Sequence, residues 1–137
     1  MAPPAKKGTG SSAYQPYANT RRPGGKPDYK PKYRVLVHRR HKARWDELVE
    51  RIGLAQAQRI YDHLATTPGR LPQGLKVNIL RGAAARPQEP GFSRTVHWRV
   101  PGSAARLDYQ YHAEYAGGSK GDRHPIVRIV AISFSSH

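Results

Sequence analysis

Five residues of this chain pair proton-transfer chemistry with anion-binding chemistry on segments that read as strands: His97, Arg99, Arg106, His112 and His137. In "FSRTVHWRV", Ser93, Thr95, His97 and Arg99 alternate with Arg94, Val96, Trp98 and Val100. In "ARLDYQYH", Arg106, Asp108, Gln110 and His112 alternate with Leu107, Tyr109 and Tyr111. Successive strand side chains point to opposite faces, so each polar set shares one face. The last segment puts Ser133, Ser135 and His137 on one side. Neighbouring strands would gather these groups on one surface, with Tyr109 and Tyr111 on the other side as core.

A histidine can take or give a proton near neutral pH, and an arginine presents a planar fork to a phosphate. Cleavage of a phosphodiester by a neighbouring 2′-hydroxyl needs a base, an acid and cations where negative charge builds. His97 or His112 would serve as base, His137 as acid, and Arg106 with Arg81 or Arg99 as charge stabiliser. Arg99, His112, Arg94 and Asn78 are the expected substrate contacts. This chemistry calls for no cofactor and no metal. His38 and His41, and the adjoining Asp62 and His63, lack the further ligands of a structural metal site.

Charge points to a polyanion as the partner. The 137 residues hold 24 Lys+Arg against 9 Asp+Glu, a formal net charge of +15. Residues 1–32 carry seven Lys/Arg and one Asp, which leaves +9 on residues 33–137. The expected folded part is therefore basic in its own right, and a nucleic acid would offset its self-repulsion. There is no cysteine, which removes disulfides, cysteine zinc sites and thiol nucleophiles. No apolar run approaches the roughly 20 residues needed to cross a bilayer, and "MAPPAKKGTGSS" has no apolar core of a secretory signal. A cytoplasmic protein without membrane contact is the expectation.

The elements that must position these groups begin at Tyr33. Residues 1–32, rich in Pro, Gly and Lys, read as a disordered basic tail. "YRVLVHRR" reads as a strand. Trp45, Leu48, Val49 and Ile52 recur at helical spacing, with Gly53 as a stop; Leu54, Ala57, Ile60, Tyr61 and Leu64 mark a second helix ended by Pro68-Gly69. "LKVNILRG", "FSRTVHWRV", "ARLDYQYHAEY" and "PIVRIVAISFSSH" then read as strands. The last is apolar on both faces from Ile126 to Ile132, as a central strand would be. The helix pair would cover one face of the sheet and leave the other free for a ligand.

From about Tyr33 to His137 the sequence resembles the RelE/YoeB/ParE superfamily of bacterial type II toxins. The resembling pieces are "YRVLVHRR", the helix pair, "ILRG" before a loop, "GFSRTVHWRV" leading into "ARLDYQY", and a closing strand that ends on histidine. The resemblance implies an α+β, RelE-like fold: a helical hairpin packed on a twisted, mainly antiparallel four- to five-stranded sheet over residues 33–137. It implies an endoribonuclease that cleaves mRNA on the ribosome and is neutralised by an antitoxin protein. It matches Arg106 to an arginine that contacts the scissile phosphate, His137 to a terminal general acid, Arg81 to the basic residue after the leucine, and His97 to basic residues of the third strand. The chain departs from the pattern at Asn78, where YoeB-like members carry a glutamate as proposed base. The loop from Ala83 to Pro90, the stretch around Gly117–Arg123 and the basic tail are also longer than the pattern. A non-catalytic ParE-like or nucleic-acid-binding protein is the alternative.

Overall fold

The computed structural model describes residues 16–70, 76–100, 102–115 and 123–134. Strand β1 (Tyr17–Asn19) and β2 (Arg34–His38) precede a 3-10 turn (Arg39–His41) and helices α1 (Lys42–Ile52) and α2 (Leu54–Thr66). Strands β3 (Lys76–Ile79), β4 (Val96–Arg99), β5 (Arg106–Tyr115) and β6 (His124–Ser133) complete the fold. All six strands form one sheet in the order β1-β2-β6-β5-β4-β3. The β2–β6 pair is parallel and the other four are antiparallel.

The helices meet at Gly53, whose φ of +91° lets one residue end α1 and start α2. That backbone region is open to glycine at little cost. Trp45 and Leu48 from α1, and Ile60, Leu64 and Ala65 from α2, bury against one sheet face. The facing strand residues are Val35, Val37, Val96, Trp98, Leu107, Tyr109, Val127, Ile129 and Ile132. Tyr109 is fully buried and donates its hydroxyl to the Pro68 carbonyl at 2.7 Å, and Tyr111 packs against the core, as the alternation predicted. β6 lies between β2 and β5, the central place its two-sided apolar run called for. Among the described residues no helix is long and apolar enough to cross a membrane.

The architecture differs from the expected helical hairpin on a mainly antiparallel four- to five-stranded sheet of RelE-like form. It is a mixed six-stranded sheet with two short helices, richer in strand than that expectation. The sixth strand comes from within residues 1–32. Tyr17, Ala18 and Asn19 pair with His38, Val37 and Leu36. Three residues give no alternation to read; backbone pairing to the β2 edge makes them a strand. Residues 20–32 then run along α2. Arg22 pairs with Asp62 at 2.8 Å, Tyr29 donates its hydroxyl to the same carboxylate, and Gln58 donates to the Pro23 carbonyl at 2.9 Å.

The second sheet face is not left wholly free either. Segment 86–95 folds across its middle, where the buried Gln110 donates to the Arg86 carbonyl and Thr95 Oγ1 and accepts from the Gln88 N–H. Beside it Arg128, 6 % exposed, lies 4.5–4.9 Å from the ring centres of Tyr17, Phe92 and Tyr115 and pairs with Glu89 at 2.9 Å. A buried cation needs partners to offset lost hydration, and three rings with one carboxylate supply them. This cluster joins β1, the 86–95 segment, β5 and β6.

Candidate active site

The uncovered part of the second face lies on β3, β4 and β5. Register places Asn78, His97 and Asp108 side by side on these three strands, and Arg99 beside Arg106 in the next row. The β4–β5 hairpin sets both rows: Val100 N–H bonds the Ala105 carbonyl at 3.0 Å, closing the chain around Gly102 and Ser103. Everything on the polar side of β4 then faces its counterpart on β5.

His97 Nδ1 lies 2.5 Å from Asp108 Oδ1, both side chains being about a quarter exposed or less. A carboxylate only accepts, so Nδ1 carries the proton and donates it. The lone pair of the neutral ring is thereby left on Nε2, which has no protein partner among the described residues. Carboxylate support of this kind fixes the tautomer and stabilises the imidazolium once Nε2 takes a proton. One row away, the Arg99 and Arg106 guanidiniums have no protein partner among the described residues. Like charges on directly opposed positions weaken a sheet, and an anion between them removes that cost. Arg99, Gly102, Ser103, Ala104, Ala105 and Arg106 line an open hollow of about 440 Å³.

The structure thus brings together His97, Arg99, Arg106 and Asn78 from the sequence-predicted set. It does not bring in the rest. His112 is on the same face but six residues along β5 from Arg106, about 20 Å at strand rise. There it packs edge-on to Phe92 and Tyr115, and its Nδ1 accepts the Glu114 N–H at 3.0 Å. Gly91, at φ +93°, passes so near the ring that a Cβ would collide with it. His112 is a packing residue of the aromatic cluster. Arg81 and Arg94 are exposed, past the ends of β3 and β4 that lie away from Arg99. His137 lies outside the described residues, as does most of the stretch around Gly117–Arg123. β6 ends on Ser133, the register partner of Arg106.

Sequence reasoning placed Asp108 on the right face but gave it no role. The signal was present: a hairpin turning at Gly102–Ser103 pairs Arg99 with Arg106 and, by the same reflection, His97 with Asp108. Two further histidines are structural. His63 is held below its ordinary pKa by burial against Trp98. His41 is lowered by burial and then by Arg44, His38 and Arg40.

Comparison with protein-family models, curated proteins and solved structures gave no match. The likeness to the toxin superfamily therefore rests on the quoted motifs alone.

Proposed function

We propose that this chain is a metal-independent endoribonuclease in which His97 is the general base and Arg99 and Arg106 bind the scissile phosphate. The observation that carries this reading is the His97–Asp108 pair one strand row from two guanidiniums without protein partners. His97 Nε2 takes the proton of a ribose 2′-hydroxyl, and the 2′-oxygen attacks phosphorus. The bond to the 5′-oxygen breaks, and that oxygen leaves with a proton from a general acid, the role the resemblance gives His137. The arginines bear the charge that builds on the phosphoryl oxygens. Position of the base and phosphate clamp on rigid strands suits this chemistry.

The resemblance extends the proposal to mRNA on the ribosome as substrate and an antitoxin protein as partner. Cleavage of RNA is expected to persist in excess chelator and to fall by about a hundredfold or more in His97→Ala and Arg106→Ala. His137→Ala tests the acid in the same assay. Wild-type rates in both His97→Ala and Arg106→Ala would overturn the site.

One observation favours a non-catalytic nucleic-acid-binding reading: Asn78, which cannot accept a proton at neutral pH, stands beside His97 where the resemblance has a glutamate base. Under that reading Arg106→Ala weakens RNA binding while the wild type leaves RNA intact.

A further inference from the structure

The basic residues "HRRHKAR" at the start of α1 lie at the same end of the sheet as Arg99 and Arg106. β2 runs parallel to β6, so its C-terminal end, the turn Arg39–His41 and the first turn of α1 sit toward the end of β6. β6 ends at Ser133 beside Arg106, and Arg106 pairs with Arg99. Arg44 locks the arrangement by donating Nη1 to the Ile132 carbonyl at 2.9 Å. From β2 to β4 is three strand spacings, about 14 Å, and the exposed side chains along that rim include Arg39, Arg40, Lys42, Arg44 and Arg99.

The helix makes this charge costly in the protein alone. α1 has no side-chain cap and no acidic residue in its first turn, and its positive pole carries Arg39, Arg40, His41 and Lys42. Cations are disfavoured at that pole and anions favoured. Two carboxylates follow directly on the first turn of α1. Glu47 is paired with Arg51 at 2.7 Å, and Asp46 lines the same hollow as Lys42, beside Asn19–Arg21. Arg39, Arg40, Lys42 and Arg44, gathered at one end of an uncapped helix, fit a chain of phosphates.

We infer that this rim is a backbone-binding track for single-stranded RNA, carrying the strand from the Arg99–Arg106 phosphate site across the end of β6 to Arg40 and Lys42. The track rests on the ribonuclease reading only for its origin at Arg106; the binding surface is independent of turnover. Its span suits a few nucleotides of extended strand, and its recognition is of phosphate rather than base.

Binding of an uncleavable 2′-O-methyl RNA of about 12 nucleotides, titrated across salt concentrations, tests the track. Arg40→Gln/Lys42→Gln is expected to lower affinity on the order of tenfold near 0.1 M salt and to reduce the salt slope by about 1.4, or 0.7 for each lost phosphate contact on a single strand. Arg59→Gln, an exposed arginine of α2, is expected to leave both unchanged. Wild-type affinity and slope in the double variant overturn the track. An equal loss in Arg59→Gln also overturns it, since binding would then follow overall charge. A dinucleotide substrate separates the two readings. Unchanged turnover of it in the double variant supports a track beyond the cleavage site. Absence of turnover in the wild type sinks the ribonuclease assignment and leaves the binding result standing.

Discussion

Asp108 changes what His97 can do. A histidine on an open sheet face turns freely and shares its proton between two nitrogens; the carboxylate at 2.5 Å holds one tautomer and aims Nε2 outward. Asp108→Asn is expected to reduce cleavage by about 10- to 100-fold while RNA affinity stays near wild type. Cleavage at the wild-type rate would make Asp108 a packing residue. Arg128 is the opposite case, a charged residue whose partners are all internal. Arg128→Met removes the cation from three rings and strands Glu89, and is expected to cost about 2 kcal/mol in denaturant unfolding. RNA cleavage at the remote His97 row should survive at temperatures where the fold does.

The arm over residues 16–32 behaves as part of the domain. Its hold on α2 centres on Asp62. Burial raises that carboxyl's pKa, but the bonds from Arg22 and Tyr29 outweigh burial and leave it below the ordinary 3.8. A folded pKa below the unfolded one means that the unfolded chain takes up the proton first. The stabilisation is therefore complete above the ordinary value and is lost as pH falls through the folded pKa, below about pH 4. Asp62→Asn is expected to speed protease cleavage within residues 20–32 several-fold at pH 7 and to flatten that acid dependence. Cleavage at the wild-type rate would show that β1 alone secures the arm. On the helix side, burial depresses the His63 pKa, so the unfolded chain binds its proton more tightly. The His63 contribution is lost as pH falls below the ordinary 6.5, and His63→Phe should weaken the pH dependence of stability below that value.

A net charge of +15 on 137 residues acts on the molecule as a whole. Self-repulsion lowers the stability of the compact state, and a ligand that binds that state restores it. A single-stranded RNA is therefore expected to raise the melting temperature at low salt, with the gain fading as salt screens the charge. A melting temperature indifferent to RNA at low salt would remove the argument from charge to partner.

How much of this was legible beforehand depends on how local each feature is. Two helices, the inward side of Tyr109 and Tyr111, and the central place of β6 follow from apolar periodicity, because burial acts on each residue's own face. The polar row of β4 and β5 follows from period-two alternation and one turn. Three features do not follow. β1 is a strand because the edge of β2 offers unpaired backbone groups, and a three-residue pattern cannot announce that. Residues 86–95 cover the middle of the second face because Gln110 and Arg128 find partners there, which separates His112 from Arg106 although both lie on the same face. The rim from Arg40 to Arg99 exists because β2 and β6 run parallel, and strand direction is a property of the assembled sheet. Periodicity tells each side chain which way to face; chain crossings and long-range pairing decide which of those faces meet.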